Sequence, residues 1–184
     1  DGQTQGNVTF TVKNDQFVEG NETATLTISN PSAGIMAGST TTQDIDITDN
    51  DTATVTLTGT ANVAEGGATN PLTATLALNT SGSGTEALKT PISNVTLATD
   101  ADFTASTGTF AVDAVDNDTV TITVTAVDEL FVEGTESGLA ATLATTTSNA
   151  SVTEAGSGTV NVTDNDTATI SHDRPADDAG SSPW

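Results

Sequence analysis

Apolar residues alternate with threonine along much of this chain, and this two-residue period restricts the fold more than any other feature. The pattern is clearest in Val-Thr-Ile-Thr-Val-Thr-Ala at residues 120–126, and it recurs at residues 24–28 and 72–78. Successive side chains of a β-strand point to opposite faces of a sheet, so each segment can bury one row and expose its threonines. The alternation therefore predicts half-buried strands.

Shorter alternating segments are separated by clusters of Gly, Asn, Asp and Ser, which are typical of turns. They lie at residues 8–12, 45–47, 55–57, 95–97 and 160–162. No part of the sequence has the period of an amphipathic helix. Many short antiparallel strands joined by turns predict an all-β protein built as a β-sandwich.

Two motifs occur twice at nearly the same separation, which predicts a repeated domain. Phe-Val-Glu-Gly-x-Glu begins at Phe17 and again at Phe131, 114 residues later. Asp-Asn-Asp-Thr-Ala-Thr begins at Asp49 and again at Asp164, 115 residues later. The unit has the length of one domain. We expect the C-terminal part of one repeat at 1–51, a complete repeat at 52–166, and the start of a further repeat or a tail at 167–184.

Composition excludes several classes of function. The 184 residues include 25 acidic and three basic side chains, a formal charge of −22 that opposes nucleic acids and anionic membranes and favours cations. With no cysteine and one histidine, His172, disulfides, thiolate metal sites and Ser-His-Asp catalysis are not expected. No apolar run is long enough for a membrane-spanning helix. The chain begins at Asp1 without a signal peptide, and we expect it to be a segment of a longer, secreted protein.

Acidic residues concentrate in the connections at one end of the complete repeat. Successive strands of an antiparallel sandwich reverse direction, so alternate connections lie at the same end. The predicted strands span residues 53–64, 72–78, 92–98, 107–112, 120–127, 138–144 and 158–163. Four connections therefore meet at one end, which we name the acidic pole. Its carboxylates are Glu65, Asp100, Asp102, Asp128, Glu129, Glu133, Glu136, Asp164 and Asp166.

Such a cluster needs a cation, because unit charges about 4 Å apart interact by several kcal/mol at the effective dielectric of a protein surface. Calcium takes about six to eight oxygen ligands in flexible geometry, whereas magnesium requires a strict octahedron and retains water. The segment at Asp49 lacks the glycine and distal glutamate of an EF-hand, and no calcium-binding β-roll repeat occurs. The alternative is that the acidic loops only keep the protein soluble.

Motifs in the complete repeat resemble the Calx-beta family, which occurs in sodium–calcium exchangers and large bacterial surface proteins. Val-Ala-Glu-Gly-Gly at 63–67 is similar to the family's opening motif, and Asp102-Phe103 with Thr-Gly-Thr-Phe at 107–110 is similar to its middle motif. The acidic stretch at 128–136 and the triplet at 164–166 are similar to its later motifs. The resemblance implies tandem seven-stranded antiparallel β-sandwiches of immunoglobulin-like form, with calcium at the acidic pole.

The resemblance also implies Ca²⁺ ligands in both repeats. In the complete repeat the matching positions are Glu65, Asp102, Asp128, Glu129, Glu133, Asp164, Asn165 and Asp166. Asn165 stands where the family often has an aspartate, which predicts fewer ions or weaker binding. In the first repeat the matching positions are Asp15, Glu19, Asp49 and Asp51. The counterparts of Glu65 and Asp102 would precede Asp1, so this second site is expected to be incomplete.

A further ion is a weaker expectation at the junction between the repeats. Strand direction places Asp113, Asp116 and Asp118 at the end opposite the acidic pole, beside Asp49 and Asp51. The alternative interpretation of these three residues is an ordinary polar turn.

The expected function is that of a calcium-binding structural repeat in a large extracellular or cell-surface protein, with calcium stiffening the array for adhesion or for filament or sheath assembly. The expected partners are neighbouring repeats and other copies in fibres or surface layers, without nucleic acid or membrane insertion. The alternative is a calcium-sensing regulatory domain of a membrane transport or signalling protein. An enzyme is not expected, because five Phe, one Trp and no Tyr offer little platform for sugars to a carboxylate-based glycosidase.

Overall fold

The computed structural model describes residues 6–98 and 100–172, and these form fifteen β-strands and no helix. In chain order the strands are β1 (Phe17–Val18), β2 (Glu22–Thr27), β3 (Thr42–Ile47), β4 (Thr52–Thr58), β5 (Thr60–Ala64), β6 (Asn70–Asn79), β7 (Ala87–Leu88), β8 (Ile92–Leu97), β9 (Phe103–Ala105), β10 (Gly108–Phe110), β11 (Thr119–Ala126), β12 (Glu136–Ala141), β13 (Leu143–Thr146), β14 (Val152–Gly156) and β15 (Gly158–Thr163). The predicted all-β class is confirmed. These residues include no helix that is long and apolar enough to cross a membrane.

The largest sheet has five strands in the order β14-β4-β6-β11-β9. Two three-stranded sheets, β12-β15-β5 and β10-β8-β13, and two strand pairs, β2-β3 and β1-β7, complete the described structure. Single residues separate three pairs of consecutive strands, at Gly59, Thr142 and Ser157, so the chain passes between sheets within extended segments. Gly59 has a φ of 117°, which a residue with a side chain rarely adopts, and it divides the predicted strand at 53–64 into β4 and β5.

Buried side chains lie between the large sheet and the smaller ones. In β4 the apolar residues Ala53, Val55 and Leu57 are buried, and the threonines between them are half-buried or exposed. They belong to one apolar cluster with residues of the facing sheets, including Ile92 and Val160. The two-residue period thus generates the core as predicted, and the packed layers are consistent with a β-sandwich.

Strand pairing differs from the antiparallel prediction at one edge. β14 pairs with β4 in parallel, and β15 pairs with β5 in parallel. The two extended segments run in the same direction, so they can pair side by side only in parallel. The strand β14 was not predicted, because Val-Thr-Glu-Ala-Gly has little alternation, and it is extended where it pairs with β4.

The N-terminal part, residues 6–51, contains the strand pair β2-β3 and contacts residues 52–166 at Ser81 and Thr90, at the end opposite the acidic pole. β1 pairs in parallel with β7, with Phe17 opposite Ala87 and Val18 opposite Leu88. The predicted strand at residues 8–12 is wrong for this structure, which assigns no strand there. A strand needs a neighbour for its main-chain hydrogen bonds, and this segment has no strand beside it among the described residues.

Candidate metal centre

Two carboxylates of the acidic pole meet because their strands are neighbours. β5 and β15 are parallel partners with Ala64 opposite Thr163, so the next residues, Glu65 and Asp164, leave the sheet side by side. The amide of Glu65 donates to the carbonyl of Thr163 at 3.1 Å, which continues the strand pairing to the site. Residues about 100 positions apart in sequence are therefore placed at one point by the edge of a sheet.

Glu65, Asp164 and Asp166 form the candidate centre. One carboxylate oxygen of each lies within 4.8 Å of the others, and no other such group of three occurs among the described residues. Glu65 is only 7% exposed. Its Oε2 and the Oδ2 of Asp166 are buried and have no hydrogen-bond donor within the described part of the chain. Buried carboxylate oxygens are unfavourable without a donor or a cation, so this arrangement suits a bound cation.

Asp164 is held by backbone donors on both of its oxygens. Its Oδ2 accepts hydrogen bonds from the amides of Glu133 at 2.7 Å and Gly134 at 3.2 Å, and its Oδ1 accepts from the amide of Asp166 at 2.6 Å. These donors lower the pKa of Asp164 below its ordinary value. Asp164 therefore stays charged and fastens the β11-β12 connection to the segment after β15.

Asn165 bridges two connections of the acidic pole. Its Nδ2 donates to the carbonyl oxygen of Glu65 at 2.7 Å and to Oδ1 of Asp128 at 3.5 Å. Gly66 turns beneath this amide with a φ of 60°, and a Cβ at Gly66 would lie 3.2 Å from Nδ2 of Asn165. The absence of a side chain at Gly66 therefore allows both the turn and the close approach of Asn165.

Charges of the acidic pole shift the pKa values of Glu65 and Glu129. Burial raises the pKa of Glu65, and the charges of Asp164, Asp166 and Asp128 raise it further, while a hydrogen bond from the backbone of Asn165 acts in the opposite direction. Burial also raises the pKa of Glu129, to which the charges of Glu133 and Glu65 add. The pole therefore behaves as one electrostatic unit.

Asp102 and Glu136 belong to the same electrostatic unit. Burial raises the pKa of Asp102, and the neighbouring carboxylates of Asp100 and Glu133 raise it further. Burial likewise raises the pKa of Glu136, with Asp102 and Glu133 adding to the effect. Asp100 and Glu136 were not among the predicted ligands, although both were placed at this pole by strand direction, which was the signal that could have included them.

The predicted site residues of the N-terminal part line an open groove of about 250 Å³. Asp49 repeats the contacts of Asp164, because its Oδ2 accepts from the amides of Glu19 at 3.0 Å and Gly20 at 2.8 Å, and its Oδ1 accepts from the amide of Asp51 at 2.8 Å. Asp15 accepts from the amide of Phe17 at 3.1 Å. The repeated sequence therefore has a repeated hydrogen-bond pattern.

The triplet at 49–51 differs from the triplet at 164–166 in the residues that contact it from other connections. Asp51 is 2% exposed, and its Oδ1 accepts from the amide of Ser81 at 2.6 Å. Asn50 donates from Nδ2 to the hydroxyl of Ser81 at 2.8 Å. Burial raises the pKa of Glu19, and Glu22, Asp15 and Asp49 raise it further, whereas Lys89 lowers it. The connection between β6 and β7 thus supplies a donor to Asp51 and an acceptor to Asn50.

The three aspartates considered for a junction ion bind protein groups. Asp116 accepts from the amide of Leu78 at 3.0 Å, and Asp118 accepts from the amide of Val115 at 2.9 Å. Asp113 forms an ion pair with Lys89. These contacts support the interpretation as an ordinary polar turn and give no support to a junction ion held by these residues.

No protein-family model matches this chain, and no curated protein matches it in sequence. The resemblance to the Calx-beta family therefore rests on the motifs named above, and ligation of calcium by the predicted residues stays a prediction.

Proposed function

We propose that this chain is a calcium-binding structural module of a large extracellular or cell-surface protein. The observation that carries the proposal is the approach of Glu65, Asp164 and Asp166 to within 4.8 Å, with two buried oxygens that lack donors. A divalent cation at their centre would neutralise the mutual repulsion and occupy both unpaired oxygens.

The ligand chemistry favours calcium. The candidate donors are carboxylate and amide oxygens, which suit hard cations rather than zinc or copper. They stand on connections that follow strand ends, where backbone carbonyls can complete an irregular coordination shell. Calcium accepts such a shell, whereas magnesium requires a regular octahedron. The neutral side chain of Asn165 lowers the charge of the triplet, which favours modest affinity.

Bound calcium would act mechanically. It would join the segment after β5 to the segment after β15, and through Asp164 to the β11-β12 connection. An ion that binds only the native arrangement stabilises the fold in proportion to the logarithm of its free concentration. The segment after β15 leads onward along the chain, so stiffening at this point would fix the direction of the next repeat. This is a role for arrays in adhesion, filaments or sheaths.

The module is organised as tandem repeats of a seven-stranded, Calx-beta-like sandwich. Residues 1–51 are the C-terminal part of one repeat, 52–166 a complete one, and 167–184 the start of a third or a tail. Support comes from the matching hydrogen bonds of Asp49 and Asp164 and from the matching antiparallel strand pairs, with Glu22 opposite Ile47 and Glu136 opposite Val162. Of the last segment, residues 173–184 lie outside the described residues.

The proposal is tested by calorimetric titration and thermal melting of the full chain with calcium and, separately, with magnesium. We expect binding of calcium, a higher melting temperature in its presence, and a weaker response to magnesium. Glu65→Gln should lower calcium affinity at least about tenfold, because it removes a charged ligand. Glu154→Gln is the matched control on β14, and it should bind as the unaltered chain does. Absence of both binding heat and thermal stabilisation at millimolar calcium would overturn the proposal.

A further inference from the structure

The N-terminal part contacts residues 52–166 through the first copy of the Phe-Val motif. The second copy lies at the acidic pole and makes no such contact among the described residues. Val18 is fully buried in the junction, where its carbonyl accepts from the amide of Lys89 at 2.9 Å. The Lys89 ammonium lies 4.2 Å from the ring centre of Phe17. The carbonyl of Gln16 accepts from the amide of Ala87 at 3.1 Å. Phe-Val of the first copy of the motif is thus bound by an extended segment.

The second copy of the same motif is exposed. Phe131 and Val132 are 66% and 55% exposed, and the adjoining Leu130 is 92% exposed. We give the name exit surface to Phe131, Val132, Asp164, Asn165 and Asp166. An apolar pair beside a carboxylate triplet is what β7 and the Ser81 turn cover at the junction. Exposed apolar groups of this kind mark interaction surfaces.

Two polar observations extend the correspondence. Asp51 is satisfied by the amide of Ser81, whereas the equivalent Asp166 has a buried Oδ2 without a donor. A Cβ at Gly20 would lie 3.2 Å from Oδ1 of Asn149 in the connection between β13 and β14, whereas a Cβ at the equivalent Gly134 would meet no atom within 4 Å. The exit surface thus resembles residues 17–18 and 49–51 of the junction, but no segment among residues 6–98 and 100–172 covers it as residues 81–89 cover those.

We propose that the exit surface binds a further repeat through a Ser-Gly turn followed by an Ala-Leu-Lys extended segment, the chemistry of residues 81–89. The Ala-Leu segment would pair in parallel with Phe131 and Val132, as β7 pairs with β1. The turn would donate a backbone amide to Oδ1 of Asp166, as Ser81 donates to Oδ1 of Asp51, and Oδ2 of Asp166 would stay open to the cation. The inference rests on the repeat organisation proposed above, and it does not require calcium.

The test joins a second copy of residues 52–166 directly after Asp166 of the full chain, which reproduces the link between Asp51 and Thr52. Amide hydrogen exchange in chelator reports on the new contact through the amides of the second copy that correspond to Ala87 and Lys89. We expect both to be protected as strongly as the originals. Small-angle scattering should give one fixed angle between the two complete repeats. Intact far-ultraviolet circular dichroism confirms that each variant is folded.

A matched pair of substitutions tests the surface in this extended protein. Val132→Asp should accelerate exchange of the new amides at least about tenfold, because a charge replaces a side chain whose counterpart Val18 is fully buried. Leu130→Asp is the control, since its counterpart Gln16 contributes only its carbonyl to the strand contact. Unprotected amides in the folded, unaltered extension would overturn the inference, as would equal effects of the two substitutions.

The experiment also separates this inference from the calcium proposal. Protection in chelator together with absent calcium binding would support the exit surface as a binding site and overturn the calcium proposal. Calcium binding by the unextended chain together with unprotected amides in the extension would do the reverse.

Discussion

The triplets Asp49-Asn50-Asp51 and Asp164-Asn165-Asp166 have the same sequence and the same inner hydrogen bonds, but they meet different neighbours. At the junction, the Ser81 amide binds Asp51 and its hydroxyl binds Asn50. At the acidic pole, Asn165 binds the carbonyl of Glu65, and oxygens of Asp166 and Glu65 are buried without donors. The motif thus determines a turn, and the surface packed against it determines which of its carboxylate oxygens hold a protein loop and which are left for a cation.

The difference between the two triplets is tested most directly by removing the same charge from each of them. Asp166→Asn should lower calcium affinity about a hundredfold, because it neutralises an oxygen of the three-carboxylate centre. Asp51→Asn is the matched control and should leave the affinity of the acidic pole within about twofold of the original. Calorimetric titration of both variants measures the difference. A loss of affinity with Asp51→Asn as large as that with Asp166→Asn would contradict the assignment of the ion to the acidic pole.

The junction should be sensitive to a side chain added at Gly82. A Cβ at Gly82 would lie 2.5 Å from the carbonyl oxygen of Asp15, so Gly82→Ala must shift the N-terminal part. We expect it to lower the free energy of opening the junction by about 2 kcal/mol more than Gly84→Ala, which has a similar positive φ and no atom within 4 Å. Hydrogen exchange at the amides of Ala87 and Lys89 measures this. Indistinguishable variants would contradict the observed packing.

The Ser81 contact should stabilise the junction whether or not calcium is present. Asp51→Ala removes the buried acceptor of the Ser81 amide and should cost about 1.5 kcal/mol of junction stability. The cost should be the same in chelator and in calcium, because this carboxylate is occupied by protein. Exchange of the same reporter amides in both solutions is the measurement. A cost that appears only in calcium would mean that Asp51 is a ligand.

The smallest expected effect is a pH dependence of the pole without calcium. Native pKa values of Glu65, Asp102, Glu129 and Glu136 are raised, so the native state binds protons more readily than the unfolded chain. In chelator, the melting temperature should therefore rise as pH falls from neutrality toward the ordinary glutamate value of 4.5. Asp164 acts in the opposite direction, because its lowered pKa contributes stability that is lost at still lower pH.

Calcium should reverse this trend, because protons compete with the ion for the same carboxylates. Melting curves at several pH values, with chelator and with excess calcium, test both halves of the prediction. A melting temperature that falls with acidification in chelator would contradict the raised pKa values.

Much of the fold and part of the site follow from the sequence. Alternation at 72–78 and 120–126 predicts β6 and β11, and the burial of Leu72 and Ile122 follows from the same period. The segment at 8–12 has the same alternation but no strand, and Val8 is exposed where β11 buries its apolar row. Alternation therefore predicts which residues can be buried, and the presence of a neighbouring strand determines whether they are buried.

The sequence by itself determined the local geometry of the triplets. The hydrogen bond from the amide of Asp166 to Asp164 spans two residues, as does the one from Asp51 to Asp49, so each turn is encoded within its own motif. Strand direction, also read from the sequence, placed the acids at one pole.

Only the tertiary structure decided what faces each triplet. The parallel pairing of β5 with β15 sets Glu65 beside Asp164, and the packing of the N-terminal part sets Ser81 beside Asp51. These partners come from distant parts of the chain, where no local rule relates the residues. Chain direction and motif spacing therefore determine which carboxylates share a pole, and long-range packing determines which of their oxygens are free to bind a cation.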